Sequence, residues 1–235
     1  PLFVKEDVLG ALLVEERRPV PVDSHSKRDS IWRTREKRLE IITGISQQAA
    51  VAIQNDHLQH EMVERERLER EMQYAREIQK MFLPRRLPDL HGWDYEVLWR
   101  TARQVGGDFY DIFKLPNKRL GVIIADVADK GMPAALFMSM IRTLVRETVQ
   151  QFDDPAKVLE YVNEIILPDA QKGMFVTMVY GVLCLETGEF KYANAGHNPP
   201  LILRLRSDEL ELLEKGGMAL GVMDGYQIRD KTVLL

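Results

Sequence analysis

The sequence predicts an α+β protein with a long helical lead-in, and three observations carry that reading. Short apolar runs separated by turn residues fall in pairs, as antiparallel hairpins do. Two helical patterns follow one another with no strand between them, so the elements do not alternate as in a βαβ fold. A further helical pattern, from near Thr34 to Pro84, precedes most of the strands.

Taken in order, residues 7–14 (Asp-Val-Leu-Gly-Ala-Leu-Leu-Val) form a short apolar run bounded by charges, which reads as a buried strand. Glu15 to Ser30 is rich in proline, serine and charge and reads as a loop. Leu39, Ile42, Ile45, Ala49, Ala52 and Ile53 then recur three and four apart, the stripe of an amphipathic helix. Leu58, Met62, Leu68, Met72, Ala75, Ile78 and Phe82 continue it less regularly. Residues 61–72 hold eight charged side chains, with Glu61/Arg65 and Glu66/Arg70 four apart, as on an exposed helix. A solvated spacer and a dimeric coiled coil both fit this segment. Pro84 and Pro88 end it.

Strand-like runs follow at 93–101, 109–115, 120–126, 175–185, 189–194, 200–206 and 209–213. The Glu186-Thr187-Gly188-Glu189 turn joins two of them as a hairpin. One helix opens at Met132-Pro133, with proline in its first turn. The next has Asp154 as its N-cap before Pro155 and runs to about Leu167.

Composition narrows the function classes. Of 235 residues, 45% are hydrophobic and 29% charged, enough for a core and too balanced for disorder. Net charge is −4: residues 1–90 carry 16 basic and 16 acidic side chains, and 91–235 carry 16 and 20. A nucleic-acid partner is not expected from such a surface. The one cysteine, Cys184, can build neither a disulfide framework nor a thiolate zinc site, and its apolar run suggests a buried position. No apolar stretch is long enough to span a bilayer, so a cytoplasmic protein with no membrane contact is expected. The chain opens at Pro1 in strand-like sequence and closes on an apolar run, so it reads as part of something longer.

Two acidic clusters carry the chemistry. In Val105-Gly106-Gly107-Asp108-Phe109-Tyr110-Asp111, paired glycines let the backbone turn tightly and set Asp108 at a strand entrance. In Ile123-Ile124-Ala125-Asp126-Val127-Ala128-Asp129-Lys130-Gly131, an apolar strand delivers Asp126 at its end. A carboxylate there is costly unless a cation compensates it. Carboxylates on adjacent strand ends suit a hard divalent ion such as Mg²⁺ or Mn²⁺. Turn aspartates that merely hold backbone hydrogen bonds stay open as the alternative. Arg103 is a candidate phosphate contact or a plainly exposed arginine. His197, in an Asn-Ala-Gly-His-Asn-Pro-Pro turn, reads as a loop histidine in preference to a general acid.

Six stretches in order resemble the SpoIIE/RsbU branch of the metal-dependent (PPM) serine/threonine protein phosphatases of bacteria. They are Ala75-Arg76-Glu77-Ile78-Gln79-Lys80 with Phe82-Leu83-Pro84, Val105 to Asp111, Asp126 to Leu136, Phe175-Val176-Thr177-Met178, Tyr192 to Pro200, and Leu220-Gly221-Val222. The resemblance implies an αββα sandwich with a two-ion Mn²⁺ or Mg²⁺ centre, and a metal-activated water that attacks phosphoserine or phosphothreonine. By position Asp108, Asp126 and the Val127 carbonyl would be ligands, while Asp111 and Asp129 would be supports of those ligands or weaker metal contacts. The expected substrate is a phosphoprotein, of the type of a phosphorylated STAS-domain anti-sigma-factor antagonist. The helix around 74–83 and the one after Gly131 would form a switch that moves Asp126 into and out of metal register.

Residues 7–58 more loosely resemble the end of a GAF sensor domain. The implied organisation is a GAF-like remnant over 1–57, a helical linker over 58–88 through which a homodimer would form, and a phosphatase domain over 89–235. The family pattern closes with a Thr-Asp-Gly segment and a later aspartate pair, which this sequence lacks; Asp224-Gly225 comes too early. A half-built site and little activity are therefore expected of these 235 residues, which leaves a catalytically inactive regulatory or binding module as the competing reading. A nucleotide-cyclase reading of Gly106-Gly107-Asp108-Phe109 fails for want of a glutamate before the phenylalanine.

Overall fold

The computed structural model describes residues 2–4, 7–13, 28–101, 104–168, 170, 173–214 and 216–235. Arg103 lies outside them, as does most of the loop expected over 15–30. Two compact units are present, Pro1–Arg70 and Glu71–Leu235.

In the first unit, β1 (Leu2–Val4) and β2 (Asp7–Gly10) pair antiparallel. The expected buried strand over 7–14 is therefore shorter than read. Leu12 and Leu13 follow its end, and Leu13 is 94% exposed, because among the described residues nothing lies over it. Helix α1 spans Arg28–Phe82, and its last turns belong to the second unit. Leu39, Ile45, Ile53, Leu58, Met62 and Leu68 are all exposed along it. Arg65 donates to Glu69 at 3.2 Å, and Arg70 donates to the Glu66 carbonyl at 3.2 Å, one turn away in each case.

The second unit is built on an antiparallel sheet of order β3-β4-β5-β6-β9. Its strands are β3 (Phe109–Leu115), β4 (Arg119–Val127), β5 (Val176–Cys184), β6 (Glu189–Ala195) and β9 (Asp230–Leu234). A separate hairpin pairs β7 (Leu201–Arg204) with β8 (Glu209–Leu212). One face of the large sheet carries Phe109, Phe113, Ile123, Ala125, Met178, Tyr180 and Val182, packed with α2 (Met132–Thr148) and α3 (Pro155–Ile166). Helix α2 buries Phe137, Met138, Ile141 and Val145, and α3 buries Val158, Leu159, Val162 and Ile166. Asp154 caps α3 by accepting the Ala156 N–H at 3.0 Å, as its sequence position predicts. Lys191 on β6 reaches that cap at 3.2 Å and Asp230 on β9 at 2.5 Å, which ties the helix start to the edge strand.

Residues 93–101 are not a strand. Their extended chain finds no ladder partner; Trp93 and Tyr95 instead join Leu90, Leu120, Leu183 and Phe190 in a second apolar cluster. The Trp93 indole donates to the Leu185 carbonyl at 3.4 Å, and the Tyr95 hydroxyl donates to the Pro88 carbonyl. Cys184 is half-exposed, since β5 ends there and the Thr187-Gly188 turn begins. Strand β9 was not among the expected strands; it pairs Asp230–Leu234 with Ala193–Glu189.

Two glycines are fixed by rings. A Cβ on Gly121 would lie 2.6 Å from the Phe113 ring, and one on Gly181 would lie 2.2 Å from the Phe190 ring. Asp111 sits on the helix-facing side of β3, wholly buried, and is held by α2. Arg146 meets it bidentately at 2.6 and 2.7 Å and Arg142 at 3.0 Å, while the Arg146 guanidinium also lies 4.1 Å from the Phe113 ring centre. Removing that charge leaves two arginines against the core uncompensated. Asp111→Asn is therefore expected to lower stability toward the smaller end of the about 3–5 kcal/mol typical of broken buried pairs, because Arg146 is 36% exposed. Denaturant unfolding measures it, and a loss below about 1 kcal/mol would contradict the buried-pair account.

Candidate metal centre

The register of β3 on β4 decides where the acidic clusters meet. Phe109 pairs with Ala125, so the next residues outward, Asp108 and Asp126, stand side by side at one end of the sheet. Asp126 lies close enough to Asp108 to act on its carboxyl group. Burial pushes the Asp108 carboxyl above its usual range, and Asp126 pushes it further the same way; only His197 opposes. Two like charges at one spot hold together when a proton or a cation lies between them.

Four features fix this spot. A Cβ on Gly107 would lie 2.6 Å from the Val127 carbonyl oxygen, so only glycine lets the two strands approach there. Gln79, buried near the end of α1, grips the backbone of Gly106, donating to its carbonyl at 2.5 Å and accepting its N–H at 3.2 Å. The Trp99 indole donates to the Asp108 carbonyl at 2.9 Å. On the other side Thr177 is the ladder partner of Asp126, and the Ala128 N–H donates to the Phe175 carbonyl at 2.8 Å, which carries the pairing past Val127.

The remaining sequence candidates stand elsewhere. Both oxygens of Asp111 are taken by Arg146. Asp129 is exposed with φ 88°, and its own carboxylate accepts the Lys130 N–H at 2.7 Å, as aspartate does in left-handed turns. Three residues that were not expected at the site border it: Gln79, Thr177 and His197. The His197 ring nitrogen Nδ1 lies 2.9 Å from Thr177 Oγ1, and burial holds the imidazole below its usual pKa against the pull of Asp108. The sequence signal for His197 was the Asn194-x-x-His197 spacing of a side-chain-closed turn; nothing in the sequence marked Gln79 as buried.

Two carboxylates and a main-chain carbonyl are hard oxygen donors, a set that suits Mg²⁺ or Mn²⁺ with waters completing the shell. Among the described residues no group of three or more histidine, cysteine or acidic side chains forms.

The family model of stage II sporulation protein E (SpoIIE) matches residues 116–235, just over half of the chain. The chain belongs to the SpoIIE family. It is 30% identical over 159 residues to the phosphoserine phosphatase RsbU of Bacillus subtilis, covering 68% of this chain and 47% of that protein. It is 34% identical over 180 residues to protein IcfG of Synechocystis, covering 65% and 28%. The chain thus spans less than half the length of these curated relatives. Among solved structures, the SiaA-PP2C domain of Pseudomonas aeruginosa superposes with a TM-score of 0.63 at 22% identity, covering 73% of this chain and 68% of that one. The fold is therefore that of the PP2C (PPM) phosphatases, and the four stretches from Asp126 to Val222 lie within the residues the SpoIIE family model matches.

A pH dependence follows from the aspartate pair. A carboxyl raised in the folded state binds its proton more tightly there than when unfolded. The associated stability is complete below the unfolded value of about 3.9 and is lost as pH rises through the raised folded value. In chelator, Asp108→Asn is expected to melt at a higher temperature than the unsubstituted protein at neutral pH, with the two converging in acid. An unchanged or lowered neutral melting temperature would contradict the strained pair.

Proposed function

We propose that the protein to which this chain belongs is a metal-dependent serine/threonine protein phosphatase of bacterial signalling. The observation that carries the reading is the pairing of Asp108 and Asp126 at adjacent strand ends beside the Val127 carbonyl, in a family whose relative RsbU is named a phosphoserine phosphatase. Asp108, Asp126 and the Val127 carbonyl would hold Mn²⁺ or Mg²⁺, which when bound supplies charge neutralisation and an activated water. The chain's own part is to hold these oxygens together. Gln79 and Trp99 fix the Asp108 segment from one side, and the β4–β5 ladder fixes Asp126 from the other.

The proposed organisation is a GAF-like remnant over 1–57, a helical linker over 58–88 and the phosphatase domain over 89–235. The exposed apolar side chains Leu58, Met62 and Leu68 support a homodimer along the linker. The proposed substrate is a phosphoprotein, of the type of a STAS-domain anti-sigma-factor antagonist. Among the described residues no helix is long and apolar enough to cross a membrane, and a cytoplasmic site of action is proposed. A catalytically inactive binding module is the second reading, favoured by the presence of only two carboxylates at the site among the described residues.

The test is Mn²⁺-dependent phosphate release from a phosphoserine peptide by the full-length protein. Asp108→Asn and Asp126→Asn are each expected to lower it at least about 100-fold, more than loss of a residue that merely orients a ligand. Activity retained in either variant refutes the assignment. Absence of both activity and calorimetric Mn²⁺ binding in the unsubstituted protein selects the binding module.

A further inference from the structure

A small cavity opens at the end of the sheet away from the metal centre. Arg119, on its wall, begins β4 and stands seven residues from Asp126 on that strand, about 23 Å at the rise of a strand. The cavity holds about 80 Å³ and lies between the β3–β4 turn and the chain that leaves α2. A single buried water needs about 10–15 Å³ of such space, so there is room for several water-sized groups. Leu115, Pro116, Val149 and Phe152 supply apolar lining, while Arg119, Asp153 and Tyr180 bring polar groups.

Tyr180 sets the chemistry of the cavity. The residue is 1% exposed, and its ring stacks on Phe113 with 6.5 Å between centres. Burial holds its phenol well above the usual range, and the charges of Arg119 and Asp153 act on it in opposite senses. The hydroxyl therefore keeps its proton and can donate, yet among the described residues no hydrogen bond reaches it. A buried hydroxyl without a partner is costly, and native proteins carry few of them.

Arg119 can donate further as well. Its Nε donates to the Pro116 carbonyl at 3.1 Å and a terminal nitrogen donates to Asp153 at 2.8 Å, while a guanidinium has five N–H groups. The Asp153 side chain is 85% exposed, so this ion pair is of the weak surface kind and yields to a competing anion.

We propose that this cavity binds a short-chain carboxylate, whose oxygens accept from the Tyr180 hydroxyl and the Arg119 guanidinium while its hydrocarbon end lies against Leu115, Val149 and Phe152. The apolar lining decides between anions. It favours a molecule with a hydrocarbon end over inorganic phosphate, which would lose water from its oxygens there without enough donors to replace it. The site is separate from the metal centre and does not rest on the phosphatase reading.

The experiment is a ligand-observed NMR titration of the full-length protein with butyrate, beside one with inorganic phosphate, both in chelator so that no metal ion draws the anions. Saturable butyrate binding with a Kd of roughly millimolar order is expected of so small a ligand. Tyr180→Phe removes the hydroxyl and keeps the ring on Phe113. It is expected to weaken butyrate binding at least about 10-fold while the melting temperature stays level or rises. Arg119→Gln, at a partly exposed position, is expected to weaken binding in the same way and keeps the test readable if the core variant folds poorly. No saturation up to about 50 mM butyrate overturns the proposal, as does unchanged affinity in either variant. A lowered melting temperature in Tyr180→Phe also overturns it, by showing that the hydroxyl already has a partner in the protein. Phosphate that binds as tightly as butyrate and is lost in Arg119→Gln replaces the carboxylate with a bare oxyanion and overturns that assignment.

Discussion

The constraint on which the site depends is the repulsion between two carboxylates brought to one spot by strand register. Asp108 and Asp126 are not there through flexible chain; they extend a ladder whose next rung, Phe109 to Ala125, is buried. Separating them would mean slipping that register, and a one-residue slip would turn Phe109, Asp111 and Phe113 away from the helices. The cost of keeping the charges together is thus carried by the sheet core. The surrounding contacts act in the same sense, with Gln79 holding one strand entrance by its backbone and Thr177 lying against the other strand's end.

The helical layer answers to a second charge on the same strand. Asp111 lies two residues from Phe109 on the helix-facing side, and its carboxylate fixes α2 through two arginines one turn apart. Apolar packing alone would let α2 slide along the sheet at modest cost, since side chains of similar size can exchange places. A buried carboxylate met bidentately has no such equivalent position, so it selects one placement. Because α2 follows directly on the loop that leaves Val127, that placement also limits how far the loop can shift.

Much of the fold was legible because its signals are local. Asp154 before Pro155 gave the α3 start, Met132-Pro133 gave the α2 start, and Thr187-Gly188 gave the hairpin between β5 and β6. The segment 93–101 misled because alternation describes an extended chain with one apolar side, whether or not a partner strand exists. Strand β9 was missed because Asp230 and Lys231 open it and only its register on β6 makes it a strand. Within the site, Asp108 and Asp126 could be read from their strand-end settings. Gln79 could not, since a glutamine on a charged helix looks like any other exposed residue until Gly106 is folded against it. The fate of Asp111 was equally hidden, because Arg142 and Arg146 stand thirty-one and thirty-five residues away in the chain.

The paired glycines and rings carry a consequence for divergence. Gly121 lies under Phe113 on the helical face, and Gly181 lies under Phe190 on the opposite face, one strand over. At each place a large side chain occupies the volume that its neighbour forgoes. Neither member can drift alone: a methyl on the glycine collides with the ring, and a smaller residue in place of the ring opens a void above the glycine. The two positions of each pair are therefore coupled in descent. Because the pairs lie on different faces and touch different cores, one can change its lineage of sizes while the other keeps its own.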